Sequence, residues 1–162
     1  MSDLLVKLYE LPPSRAALER LEKEGISVRR AIGPEKHAVV EWAEKEFSRS
    51  WASECDVAMS SRPPTCFIAE KDGKILGFAC YDATLKGFFG PIGVDRSLKI
   101  KGLGTALLLR TLEAMRDAGY GYAAVGWAGP VDFFRKTVGA TVIEGSEPGV
   151  YKGLVKAAPR SK

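Results

Sequence analysis

The sequence predicts one mixed α/β domain, with a mostly antiparallel central sheet flanked by helices. Three observations carry that prediction. Two short apolar runs, residues 65–70 and 74–81, are joined by Lys71-Asp72-Gly73, the composition of a hairpin turn. A further apolar run, residues 87–94, leads through a short basic loop into a helix on which Leu103, Leu107, Leu108, Thr111, Leu112 and Met115 recur at helical spacing. Strand and helix patterns alternate on either side of this centre, the order expected of an α/β arrangement with a mixed sheet.

In chain order, residues 4–9 read as a first strand, and Pro12-Pro13-Ser14 opens a helix over 15–24 that Gly25 stops. Residues 26–32 alternate as a strand does. A helix over 35–47 follows, carrying His37, Val40 and Ala43, and a helical or irregular segment over 51–59 ends at the turn signal Arg62-Pro63-Pro64. The long helix is terminated by Gly119. Beyond it come a strand over 122–126, a short helix over 131–136 and a strand over 140–143. A last strand over 150–155 is set off by Ser146-Glu147-Pro148-Gly149.

A chain of 162 residues suits a single domain with a sizeable core. No apolar run approaches the roughly 18–20 residues that cross a bilayer. The opening Met1-Ser2-Asp3-Leu4-Leu5-Val6-Lys7 lacks the apolar stretch and cleavage site of a signal peptide. No membrane partner is therefore expected. The three cysteines, Cys55, Cys66 and Cys80, form no Cys-x-x-Cys pair and accompany one histidine, so no metal is expected and the compartment reads as reduced and cytoplasmic. The net charge of +4 is spread along the chain apart from a short basic tail, residues 156–162, which reads as a solvated end. No nucleic-acid partner is expected.

Functional information concentrates in residues 92–105. A glycine-rich loop that enters a helix leaves backbone N–H groups unpaired at the positive end of the helix dipole, where an anion is favoured. Gly102 and Gly104 let that backbone approach a phosphate, and Lys99 and Lys101 add full charges. The dinucleotide pattern fails, because Leu107 stands where a third small residue is needed. The P-loop pattern fails too, because Gly104 is followed directly by Thr105. What remains is Lys99-Ile100-Lys101-Gly102-Leu103-Gly104, with Val94 closing an apolar strand eight residues before Gly102.

That arrangement resembles the acyl-CoA loop of the GNAT acetyltransferase superfamily, where Gln or Arg usually stands at the position of Lys99. The resemblance covers roughly residues 26–155 and implies a sheet splayed at its central strands. It divides the chain into a strand–helix extension (1–25) packed on the core, a GNAT domain (26–155) and the basic tail (156–162). It implies acetyl-CoA as cofactor, with Lys101, Gly102, Leu103, Gly104 and Thr105 cradling the pyrophosphate and Lys99 and Ile100 completing the loop. Ile92, Gly93 and Val94 are implied to pair with the amide-bearing arm of CoA as an added strand would. Gly93 also has a local reading, a bulge forced by the nearby Pro91.

Acetyl transfer to an amine needs a base to deprotonate an ammonium with a pKa of about 10.4, and stabilisation of the oxyanion and the departing thiolate. Many members of the superfamily carry a Tyr acid where this chain has Phe134, which reads either as core or as a wall of the site. Neither strand beside the loop holds a carboxylate. The base candidates are Asp82, at the end of the preceding strand, and Glu54 and Asp56, in the segment expected to overhang the acceptor; each also reads as an ordinary surface carboxylate. Trp127, between glycines in Gly126-Trp127-Ala128-Gly129-Pro130, and Trp51 are candidates for the acceptor pocket. The leading reading is an N-acetyltransferase acting on a primary amine, expected to be a small molecule. The alternatives are a non-catalytic acyl-CoA-binding module on the same fold and, last, an adaptor that binds no CoA. The sequence leaves a homodimer open.

Overall fold

The computed structural model describes residues 1–161, so Lys162, the last residue of the basic tail, lies outside the described residues. The elements are β1 (Leu4–Lys7), α1 (Arg15–Glu22), β2 (Ser27–Arg30), α2 (Lys36–Glu46), α3 (Arg49–Met59), β3 (Cys66–Lys71), β4 (Lys74–Tyr81), β5 (Phe88–Val94), α4 (Leu103–Asp117), β6 (Tyr122–Val125), α5 (Val131–Val138) and β7 (Thr141–Val142), with short 3-10 turns at Leu8–Glu10, Gly33–Glu35 and Gly149–Tyr151. Seven strands form one sheet in the order β2-β3-β4-β5-β6-β1-β7. Every neighbouring pair is antiparallel except β5 and β6, which run parallel.

Local chemistry explains the elements that border the site. The α3 helix starts where the Ser48 hydroxyl accepts the Trp51 N–H at 3.1 Å, capping one of its free donors. The α4 helix buries Leu103, Leu107, Leu108, Thr111, Leu112 and Met115, the set its periodicity marks, and the chain leaves it through Gly119 in a positive-φ conformation (102°). One face of the sheet meets α1, α4 and α5 through a core that includes Phe67, Phe89, Leu107 and Phe134. The other face meets α2 and α3 through Val39, Cys55, Ile68, Phe78 and Cys80. Among the described residues, no helix is long and apolar enough to cross a membrane.

Residues 51–59, which the sequence left as helical or irregular, lie entirely within the regular helix α3. One segment differs from the sequence reading. Residues 150–155 form no strand: Gly149 (φ 59°) and Gly153 (φ 73°) turn the chain into a 3-10 turn and coil. The sheet position between β6 and β7 is held instead by β1, which pairs Leu4 with Val125 on one side and with Val142 on the other. The N-terminal strand is thus an interior strand, and Leu4, Val6 and Leu8 are fully buried.

Candidate active site

The parallel pairing of β5 with β6 consists of Phe88 with Ala124 and Phe89 with Val125. Beyond Phe89 the two strands part. Against β4 the register shifts between the Phe89–Tyr81 and Ile92–Ala79 pairs, so Gly90 and Pro91 form a bulge as β5 leaves β6. Ile92, Gly93 and Val94 stay paired to β4 but have no strand partner on their other side. Their outward N–H and C=O groups are therefore available to an extended ligand.

The bulge falls at Gly90 and Pro91 rather than at Gly93. Gly93 serves a different purpose: a Cβ there would lie 2.5 Å from Cζ of Phe47. The Phe47 ring is stacked on Trp51 at 4.7 Å and stands edge-on to Phe78 at 6.0 Å, so it has little room to retreat. Gly93→Ala is expected to destabilise the fold by about 1–3 kcal/mol, the usual range for overpacking. Thermal melting of the variant measures this, and an unchanged midpoint contradicts the contact.

β5 runs straight into the basic loop. The first hydrogen bond of α4 joins the Ala106 N–H to the Gly102 carbonyl at 3.0 Å. The N–H groups of Leu103, Gly104 and Thr105 are left facing out of the helix end, and among the described residues no side chain caps them. Gly102 adopts φ 86°, a conformation that favours glycine. A Cβ on Gly104 would approach Phe133 of α5, with Cζ at 3.7 Å, so Gly104 keeps the groove between α4 and α5 open. Lys99 and Lys101 are exposed here, whereas the Leu103 side chain is buried in the core. A further cation arrives from the N-terminal helix: Nη1 of Arg20 lies 3.9 Å from where a Cβ of Gly102 would be. No local motif marks Arg20, because its position depends on α1 packing across α4. Exposed donors, a side-chain-free groove and three cations fit a diphosphate well.

A cavity of about 850 Å³ opens where β5 and β6 part. The structure gathers Trp51, Glu54, Ile92, Trp127 and Phe134 around it, together with Thr84 and Tyr151. Phe134 is buried, stands edge-on to Phe89 at 6.2 Å and forms the floor. Trp127 adopts φ 45° and is held there by its N–H donating to Oδ1 of Asp3 at 2.9 Å, so the N-terminal strand fixes the rim of the cavity. Its ring lies against Tyr151 at 4.3 Å.

The three candidate carboxylates separate clearly. Glu54 lies one helical turn beyond Trp51, on the inward face of α3, and accepts a hydrogen bond from the Thr84 hydroxyl. Burial pushes its carboxyl above the usual range, with the Thr84 bond opposing in part. Asp56 is two residues on, about 200° round the helix, and pairs outside the cavity with Lys36 at 3.0 Å. Asp82 does not line the cavity. It accepts from the Gly87 N–H and the Tyr120 hydroxyl, each at 2.7 Å, and so ties a loop. Burial and this bond push the Tyr120 phenol up to about 12. Thr84 and Tyr151 were invisible in the sequence reading, since Thr84 sits in an unpatterned loop and Tyr151 in the stretch read as a strand.

The sheet is open and mixed and parts at its one parallel pair, beside a helix end whose free N–H groups suit a diphosphate. The Acetyltransferase (GNAT) family matches residues 36–138, well over half of the chain, and the chain belongs to that family. Among solved structures it is similar to a glucosamine N-acetyltransferase region in a fungal multi-domain GH3 β-N-acetylglucosaminidase, with a TM-score of 0.71 and 15% identity over 88% of this chain and 19% of that one. It is also similar to a GCN5-related N-acetyltransferase from Sphaerobacter thermophilus, with a TM-score of 0.64 and 21% identity over 88% and 48%. One from Kribbella flavida gives a TM-score of 0.59 and 19% identity over 87% and 53%. At these identities the likeness is one of fold, and the chain spans about half or less of the length of these three structures. Among curated proteins, none matches.

Proposed function

We propose that the protein transfers the acetyl group of acetyl-CoA to a small primary amine. One observation carries the reading: β5 passes from the parted strands through the basic loop to the α4 helix end, so an amide-bearing arm and a diphosphate would meet their partners along one continuous segment. Bound acetyl-CoA supplies an activated acetyl thioester. In this reading the N–H groups of Leu103, Gly104 and Thr105, with Lys99, Lys101 and Arg20, hold the diphosphate, and Ile92, Gly93 and Val94 hold the arm.

Glu54 is the base in this proposal. Its raised pKa narrows the gap to the amine it deprotonates, and its place in the cavity lets it meet the incoming ammonium. The cavity is otherwise mostly apolar around Trp51, Trp127 and Phe134, which suits an apolar monoamine. A non-catalytic acyl-CoA-binding module would have no use for a half-buried carboxylate here, so Glu54 favours the enzyme. Residues 26–155 carry the chemistry, while 1–25 serve it by fixing Trp127 and delivering Arg20. The three cysteines are free and buried, which supports a reducing, cytoplasmic compartment.

The test is release of CoA, read with a thiol reagent, from acetyl-CoA mixed with a panel of amines that includes 2-phenylethylamine. Release with an apolar monoamine is expected. Binding of acetyl-CoA without release for any amine supports the module instead, and no binding removes both. Arg20→Ala is expected to weaken acetyl-CoA binding about three- to fivefold at low salt and progressively less as salt rises, because the exposed charge is screened. Calorimetry across a salt series measures this.

A further inference from the structure

Breaking a thioester releases a thiolate that needs a proton, and Phe134 at the floor of the cavity has none to give. The structure brings in another hydroxyl. After β7 the chain turns at Gly149 into the single 3-10 turn that ends at Tyr151. The Tyr151 ring lies on Trp127, and its hydroxyl fills the space that a Cβ on Gly126 would take. Gly126 follows the last residue of β6 and lines the cavity together with Gly90 and Ile92 of the parted β5. Thr84 lines the same cavity as the phenol, and its hydroxyl donates to Glu54. Carboxylate, hydroxyl and phenol therefore follow one another round the acceptor side of the cleft.

We propose that Tyr151 is the catalytic proton donor to the departing thiolate, and that Thr84 returns to it the proton that Glu54 takes from the amine. The proposal rests on the acetyl-transfer reading. The protons balance. One ammonium proton passes to Glu54, the freed amine nitrogen bonds to the acetyl carbon, the C–S bond breaks as the phenol proton passes to sulfur, and the nitrogen releases its second proton to solvent. Glu54 then gives its proton to the Thr84 oxygen while Thr84 gives its own to the Tyr151 oxygen. Amide and CoA thiol leave, and all three side chains are restored. The charged groups facing the phenol are Glu54 from α3 and Asp3 from the N-terminal segment. Burial and these charges push Tyr151 above its usual value, so at neutral pH it holds its proton until a stronger base appears.

Tyr151→Phe keeps the ring against Trp127 and removes only the hydroxyl. With acetyl-CoA and the most active amine of the panel, kcat is expected to fall about 100-fold. Affinity for acetyl-CoA should stay within about twofold, and the high-pH decline of kcat that the native protein is expected to show should disappear. A readout free of turnover comes from tyrosine labelled with 13C at Cζ, followed by NMR in the ligand-free protein. The resonance missing from Tyr151→Phe identifies Tyr151, and in Glu54→Gln its titration should move to lower pH. Native turnover in Tyr151→Phe overturns the donor and leaves acetyl transfer standing, as does a Tyr151 titration indifferent to Glu54→Gln. An unaltered steady-state rate in Thr84→Val overturns the return path. A native protein that releases no CoA with any amine overturns acetyl transfer and the donor together.

Discussion

Replacing Glu54 with Gln is expected to lower kcat by about 10²- to 10³-fold, while acetyl-CoA affinity, which the proposal assigns to the loop at the other end of β5, should stay close to native. In the native protein kcat is expected to rise with pH as Glu54 loses its proton, with the rise centred above the ordinary carboxylate range because burial disfavours the charged form. Stability runs the opposite way. A carboxyl whose pKa is raised on folding stabilises the fold fully below its unfolded value. That contribution is lost as pH climbs through the folded value. Above that window the native protein bears a half-buried charge that Glu54→Gln does not. The variant is therefore expected to melt higher than native at pH 7, by about 2–4 °C for each kcal/mol relieved, with the difference vanishing in acid. Paired rate and melting profiles against pH test both halves. A variant that loses activity and melts lower at pH 7 points to a structural role for Glu54.

Gly104→Val is expected to cost at least about 100-fold in acetyl-CoA affinity, or about 2.7 kcal/mol. The branched side chain would fill the groove toward Phe133, 3.7 Å from the new Cβ, where the helix end must be approached closely. Gly104 lies outside the positive-φ region and a Cβ there makes only ordinary contacts, so melting without ligand should change little. Native protein with acetyl-CoA at about 100 times Kd should gain about 2.7 kcal/mol, read as a rise of about 5–10 °C. The variant should show almost none of that rise. Undiminished affinity in the folded variant would move the cofactor to another part of the molecule.

What could be read from the residues in order was whatever depends on neighbours in sequence. The β4 strand matches its predicted bounds, Lys74–Tyr81, because an apolar run and the Lys71-Asp72-Gly73 turn are local signals. The buried stripe of α4 and the loop before it are local for the same reason. Contacts made across the fold were not legible. Gly93 invited a reading as a bulge or a ligand contact, but the ring that needs its missing side chain belongs to Phe47, far back in the chain. Glu54 and Asp56 looked alike until helix phase put one in the cavity and the other against Lys36. Residues 150–155 carry enough apolar character for a strand, yet a strand also needs an open place in a sheet, and Leu4–Lys7 had taken it.

That placement of Leu4–Lys7 also sets the order in which the molecule can be completed. Leu4 pairs with Val125 and Val142, which follow it far later in the sequence. Closing so long a loop is slow relative to forming hairpins such as β3–β4. During synthesis at about 5–20 residues per second, the N-terminal segment must therefore wait with Leu4, Val6 and Leu8 uncovered while the meander and α4 assemble around a vacant slot. When the segment enters, it docks against the finished half-sheet and brings Asp3 to the Trp127 N–H. The cavity rim is thus among the last features to take shape, and a nascent chain cut short of β6 has every residue of the glycine-rich loop but no completed cavity.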